Sequence, residues 1–311
     1  MNINVIILNM SSFNPGKKIW KYRSYYFFLL PALIYVAIFS YGPLYGLQIA
    51  FKNYKGSLGI INSPWIGFKH FIDFFNGYYF WILIRNTLAI SFYSLLVGFP
   101  IPIILALMLN EFKGIYKKVI QTIFYAPHFI SMVVLVGIIY TMFSPSIGVV
   151  NAVLEFLGHE RIYFVALPEV FRNLYVWSGV WQNMGWSAII YLAALAGVDP
   201  ELHEAAKIDG ASLFQRIQHI NLPAIKPTVV ILLILAIGNL ASVGYEKVYL
   251  LQNSLNIDTS EVISTYVYKR GIINSNYSFS AAVGLFNNII NAILLVIANG
   301  ISRQFSETSL F

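Results

Sequence analysis

Residues 204–223 read EAAKIDGASLFQRIQHINLP, a polar stretch set between two long apolar runs. Its local chemistry is that of two short helices. Asp199-Pro200, just ahead of it, sets a helix start, since aspartate accepts hydrogen bonds from free first-turn amides and proline fits the first helical position. Residues 201–208 (ELHEAAKI) are strong helix formers. Gly210 permits a sharp bend because no Cβ opposes it. Ser212 is placed to cap a second short helix running through Gln218, and Pro223 is expected to end that helix. Two short helices joined at a glycine make a rigid knob. His203-Glu204 opens like a zinc-protease helix, but that pattern needs a second histidine four residues after the first, and Lys207 stands there.

The rest of the chain places this knob beside a membrane. Of 311 residues, 58% are hydrophobic and 11% charged, against about 25% charged in soluble domains. The absence of cysteine excludes disulfides, iron–sulfur clusters and thiolate metal sites. The net charge of +7 comes from residues gathered at the ends of apolar runs. That placement indicates anchoring at a lipid surface and not nucleic-acid binding. No cleavable signal peptide is expected: the apolar stretch Val5 to Leu8 is short, and the basic cluster follows it. Met1 and Met10 both stand as candidate starts.

Six runs have the roughly 20 mostly apolar residues that a spanning helix needs: 25–51, 84–110, 121–143, 171–197, 225–251 and 278–302. The expected fold is therefore all-α and polytopic. A segment 1–24 precedes the transmembrane domain 25–302, and a tail 303–311 follows it. Glycine and proline break the runs at Tyr41-Gly42-Pro43 and at 98–102 (GFPIP). Such breaks are tolerated where neighbouring helices or a cavity satisfy the freed backbone, which suggests a bundle around a pathway. Lys17, Lys18, Lys21 and Arg23 put the N-terminus in the cytoplasm. Six spans then place both termini, loop 111–120 and loop 198–224 on that side. Lys52, Lys55, Lys69, Lys269 and Arg270 lie in the opposite loops, so the first helix decides the orientation. The aromatics of 52–83 (Trp65, Phe68, Phe71, Phe74, Phe75, Tyr78, Tyr79, Trp81) read first as interfacial anchors. Loops 144–170 and 252–277 are long enough for small exposed helices.

Glu204-Ala205-Ala206, three residues, Gly210, nine residues, then Ile220-x-Leu222-Pro223 fills every position of the EAA loop, and the chain resembles bacterial type I, binding-protein-dependent ABC importer permeases. YGPLYGLQIAFKNY (41–54), NTLAIS (86–91), GFPIPIILALMLNE (98–111), YAPHFISMVV (125–134), the run 181–212, VISTYVYKRG (262–271) and SRQFSETSLF (302–311) resemble the LplB-like polysaccharide branch. The resemblance implies one of two different permease subunits in the bacterial cytoplasmic membrane. Its implied partners are a second permease, two ATP-binding subunits that hold Mg-ATP, an extracellular sugar-binding lipoprotein, and an oligosaccharide substrate such as a pectic or uronic fragment. It also implies that Glu204, Ala205, Ala206, Asp209, Gly210, Ile220, Leu222 and Pro223 meet the ATPase. The residues agree on one point: no GxxxxGK[ST] phosphate loop occurs, so no cofactor is expected in this chain, and energy comes from another polypeptide.

Sugar sites use aromatic faces for the rings and amides or carboxylates for the hydroxyls. The fourth span carries Trp177, Trp181, Gln182, Asn183 and Trp186, the fifth Asn239, Ser242, Tyr245 and Glu246, and the sixth Asn287, Asn288 and Asn291. Polar groups at bilayer depth usually face an interior or a cavity, or else glue helices together. Trp181, Gln182, Asn183, Trp186, Asn239 and Ser242 form the candidate pathway. Glu246-Lys247 reads as a local ion pair and His128 as a structural histidine. An ion-coupled transporter would want buried acids or histidines and internal repeats. An intramembrane enzyme would want paired aspartates, zinc ligands or a Ser-His-Asp set. No such set appears within the spans, so no catalytic or metal residues are assigned.

Overall fold

Backbone in lipid has no water to bond to, so apolar runs close their hydrogen bonds as helices. A computed structural model describes residues 20–305 and Ser309. Lys17, Lys18, both candidate starts and half of the tail motif lie outside the described residues. Within them the chain is helical, with an isolated antiparallel bridge between Lys52 and Trp65.

α1 (Arg23–Phe51) runs through a widened turn at Ala37–Tyr41 into a tighter segment, Gly42–Phe51. α2 (Lys69–Phe75) is short. α3 (Phe80–Gly98) and α4 (Pro100–Glu111) together make one long apolar rod. α5 (Gly114–Tyr125) leads through a tight turn, Ala126–Phe129, to α6 (Met132–Met142). α7 (Val149–Phe156) lies on the loop before α8 (Pro168–Leu195), and α9 (Pro200–Ile208) opens the knob. α10 (Leu213–Gly238), α11 (Tyr245–Leu251), α12 (Ile263–Tyr268) and α13 (Tyr277–Phe305) complete the chain.

Among the described residues, α1, the α3–α4 rod, α10 and α13 are long and apolar enough to cross a membrane. The pair α5–α6 makes a fifth if counted as one broken span. The expected third span, 121–143, is thus no single rod: its halves meet at 99°. Pro127 and the extended backbone at Ile130 and Ser131 stop one helix and start the next, with Ser131 capping Val134. α8 has 28 residues, but Ser178, Gln182, Asn183 and Ser187 lower its hydropathy. The fifth run also departs from expectation, since α10 ends at Gly238 and 239–244 breaks it from α11.

α8 is the axis. It packs on α3, α4, α5, α10 and α11, while α13 packs on α10, α2 and the second half of α1. The first half of α1 buries no side chain. One core gathers Ile90, Leu135, Ile139, Phe171, Val248 and Val262 at the end of the bundle away from the knob. Another gathers Leu105, Leu109, Ala188, Tyr191, Leu195 and Ile225 at the knob end. Two expectations change here. Phe71 and Phe74, read as headgroup anchors, are buried against α13. The middle of the 252–277 segment is packed into the bundle, with Val262 and Thr265 fully buried, while both of its flanks stay exposed.

Candidate functional site: an exposed knob and a polar cavity

The knob forms as its residues dictate. The Asp199 carboxylate accepts from the Glu201 amide at 3.0 Å, and Pro200 takes the first turn. At the other end of α9, Gly210 adopts φ +79°. The Gly210 amide then donates to the Lys207 carbonyl at 3.1 Å and the Ala211 amide to the Ala206 carbonyl at 2.8 Å. This paired closure of a helix end needs a left-handed residue, and glycine takes it without strain. Ser212 and Gln215 bond each other's backbone amides in a capping box. The second helix does not stop at Pro223. A widened turn at Ile217–Asn221 absorbs the missing amide, and the helix runs on to Gly238. Pro223 and Pro227 therefore lie within α10, where the knob passes rigidly into a span.

Glu204, Ala205, Asp209, Gly210, Leu222 and Pro223 are exposed, while Ala206 and Ile220 are half-buried. Ile208 is 87% exposed and Phe214 72%. Glu204 has no ion-pair partner among the described residues. Arg216 reaches back to Glu111 at 3.9 Å, joining the knob to the end of α4.

At mid-bundle, α3, α8, α10 and α11 enclose a cavity of about 650 Å³. Ser91, Ser94, Gln182, Asn183, Asn239 and Ser242 are among its lining residues. A second cavity of about 520 Å³ is lined by Trp186, Ile190 and Tyr191. Gly98, Phe99, Pro102 and Ser187 border both. Four of the six candidate pathway residues thus meet in one cavity. Trp186 stands in the adjoining one, and Trp181, 42% exposed, lines neither.

The chain matches the family model described as binding-protein-dependent transport system inner membrane component over residues 98–307, well over half its length. The chain belongs to this family. It is similar to the polygalacturonan/rhamnogalacturonan transport system permease protein YteP of Bacillus subtilis, at 42% identity over 94% of this chain and 92% of that protein. Protein LplB of the same organism is 46% identical over 92% and 90%. A solved chain of a bacterial alginate ABC transporter, in complex with alginate pentasaccharide-bound periplasmic protein, superposes with a TM-score of 0.86. It is 42% identical and covers 94% of this chain and 99% of that one. The fold is that of a type I ABC permease.

Within this permease several contacts escape sequence reasoning. Gln182 is buried, and its amide donates to the Ile130 carbonyl at 2.8 Å, satisfying backbone freed by the α5–α6 break. His128, on the turn at that break, has Nδ1 3.0 Å from the Asn183 Oδ1. Asn291 of α13 accepts from the Ala241 amide at 2.9 Å and donates to the Ser242 hydroxyl at 2.6 Å, so it ties the α10–α11 break together. Asn239 bonds back to the Leu235 carbonyl at 3.0 Å. Lys247 is buried and donates to the Tyr175 carbonyl at 2.7 Å, with the Tyr175 ring at 4.7 Å. The expected Glu246–Lys247 pair is absent among the described residues: one lysine points into the bundle while its neighbour is exposed. The usable signal was the glycine and proline punctuation, which marks where freed carbonyls need donors.

Proposed function

We propose that this permease forms half of the translocation pathway of an ATP-driven, binding-protein-dependent oligosaccharide importer. On this reading the cavity around Asn183 and Asn239 passes the sugar, and the 199–223 knob transmits the work of two cytoplasmic ATPase subunits. The observation that carries the reading is that a fully closed helical knob continues without a break into a helix lining the cavity. Asn239, on the cavity wall, directly follows α10, whose first residue Leu213 belongs to the knob. A push on Glu204 or Phe214 is thereby a movement of the cavity wall. The exposed apolar residues Leu202, Ile208 and Phe214 around an unpaired carboxylate fit a protein docking surface. The relatives support the substrate class, since their names concern polygalacturonan, rhamnogalacturonan and the acidic polysaccharide alginate.

The tagged chain, purified from its native membrane, is expected to bring with it a second permease and an ATPase. ATP hydrolysis by the reconstituted complex is expected to rise when binding protein loaded with oligosaccharide is added. Asn183→Ala and Asn239→Ala are each expected to lower uptake about fivefold to tenfold, the effect of one lost hydrogen bond to the sugar. A stable homo-oligomer that transports without an ATPase would overturn the reading.

A further inference from the structure

Two positive charges converge one turn beyond the cavity lining, with no carboxylate paired to either among the described residues. Asn86 on α3 is fully buried, and its amide nitrogen donates to the Asp258 carbonyl at 2.9 Å and the Glu261 carbonyl at 3.0 Å. Both its protons being used, the amide is held with Oδ1 facing the other way. There the oxygen receives the Arg85 Nη2 at 3.4 Å and the Arg172 Nη2 at 3.3 Å. One neutral oxygen so holds two guanidinium groups side by side. Arg85 also donates to the Asp258 carbonyl at 3.1 Å. Neither arginine has a carboxylate within ion-pair distance among the described residues. The Nε of Arg172 is buried and has no hydrogen-bond partner. Like charges brought together in this way repel, and a buried guanidinium donor left unmade is costly. Arg85 is exposed and Arg172 half-buried, so an anion can reach their outer nitrogens and relieve this repulsion, and the planar guanidinium fork matches a carboxylate as it does a phosphate.

The position of the pair says which anion. Asn86, Ile90 and Ser94 lie at four-residue spacing on one stripe of α3. Arg172, Val176, Gly179 and Asn183 lie on one stripe of α8. Ile90, Ser94, Val176, Gly179 and Asn183 all line the larger cavity. Asn86 and Arg172 are therefore the next turn of the same two walls, at the end away from the knob, and Arg85 meets them from the neighbouring face of α3. Beside it, Trp177 donates to the Tyr93 hydroxyl at 2.9 Å, and Tyr93 bonds the Asn173 Oδ1 at 2.8 Å. That fixes the Tyr93 phenol between α3 and α8 and leaves the Trp177 indole exposed about one turn along α8 from Arg172.

We propose that Arg85 and Arg172, held by Asn86, form a carboxylate site that receives a uronic acid residue of the incoming oligosaccharide before it enters the cavity. This inference rests on the importer reading above and adds the residues that select charge. The test uses the full complex of both permeases, ATPases and binding protein in liposomes, with trigalacturonate and its carboxyl-reduced counterpart as probes. Arg85→Gln and Arg172→Gln are each expected to lower trigalacturonate uptake about tenfold, the scale of one charge-assisted hydrogen bond. Uptake of the reduced sugar stays within about twofold, and Arg85→Lys, which keeps the charge, recovers most of the loss. Equal losses for both sugars, or for Arg85→Gln and Arg85→Lys alike, would mean a structural pair and overturn the site. Unchanged trigalacturonate uptake in both Gln variants would do the same. A fall in hydrolysis stimulated by loaded binding protein, with no change in sugar selectivity, would assign the pair to an acidic residue of that partner instead. Failure of the wild-type complex to carry either sugar would count against the importer reading itself, a result separate from any of these.

Discussion

The His128 imidazole lies flat on the Trp186 indole, with ring centroids 4.4 Å apart and planes 5° from parallel. The stack joins the turn after α5 to the middle of α8, across the break in the third span. Asn183 completes it. Its amide nitrogen donates to the Gly179 carbonyl at 3.0 Å, which leaves Oδ1 to accept from His128. Nδ1 is then the donor in this contact. Two polar rings and an amide are thus fixed where the two cavities adjoin.

Trp186→Ala removes the surface on which His128 rests. Uptake by the assembled complex is expected to fall about tenfold, in line with the one or more kcal/mol of a stacked aromatic pair. Trp186→Phe, which keeps a ring, is expected to fall much less. The measurement is initial uptake after permease assembly has been verified by co-purification. Equal uptake by Trp186→Ala and the wild type would remove this wall from the pathway.

Gln182→Leu keeps volume but strips the Ile130 carbonyl of its donor. An unsatisfied buried acceptor costs about 1–3 kcal/mol. Detergent-solubilised protein is expected to melt several degrees lower, while Gln182→Glu, which removes the donor and adds a charge, is expected to be worse still. Thermal unfolding followed by tryptophan fluorescence checks both. A melting point unchanged in Gln182→Leu would show that the break at 130–131 satisfies itself.

Much of this molecule was legible in the sequence, and the rest fails for one physical reason. The knob followed from local rules: Asp199, Gly210 and Ser212 each act on backbone within a few residues, and all three do as their chemistry dictates. Run 278–302 is a single helix, since α13 covers it and its ends fall close to those expected. The runs at 121–143 and 225–251 were legible as apolar stretches but not as broken ones. Hydropathy reports where lipid is tolerated, whereas a break depends on whether a distant side chain meets the freed backbone, as Gln182 donates to the Ile130 carbonyl and Asn291 accepts from the Ala241 amide. Pro223 was misplaced for a related reason. A proline ends an isolated helix, but one widened turn ahead of it lets a span continue. Lys247 and Asn86 show the same limit, because the carbonyls they bond lie more than 70 residues away in sequence.

Gly185 marks the closest approach of α8 to α5. A Cβ built there would stand 2.1 Å from the Phe124 carbonyl oxygen, a backbone atom that cannot swing aside. Gly185→Ala is expected to push the two helices apart at a cost of about 1–3 kcal/mol. Because Tyr125 and His128 follow directly, the His128–Trp186 stack should loosen too. Lower yield of folded complex and reduced uptake together are the expected result. Gly284, with open space where a Cβ would go, supplies the control, and Gly284→Ala is expected to be nearly silent.

The proposed coupling role of the knob separates from its structural role through two substitutions. The Glu204 side chain is exposed and makes no hydrogen bond or ion pair among the described residues, so Glu204→Lys is expected to leave stability within about 0.5 kcal/mol. If a basic residue of the ATPase meets this carboxylate, charge reversal replaces an attraction by a repulsion, and ATPase co-purification should fall sharply. Gly210 acts through the backbone. At φ +79° a β-branched residue is strained by about 1–2 kcal/mol, and Gly210→Val should open the paired closure at Lys207 and Ala206. Membrane insertion is expected to survive, because the strain is confined to a loop outside the spans. Stimulation of ATP hydrolysis by loaded binding protein should be lost in both variants while basal insertion and expression remain. The two variants reach that common loss by unrelated means, one through charge and one through backbone geometry. Full stimulated hydrolysis and uptake in both would show that 199–223 merely closes helix ends, and the transmission of force would have to be sought elsewhere in the chain.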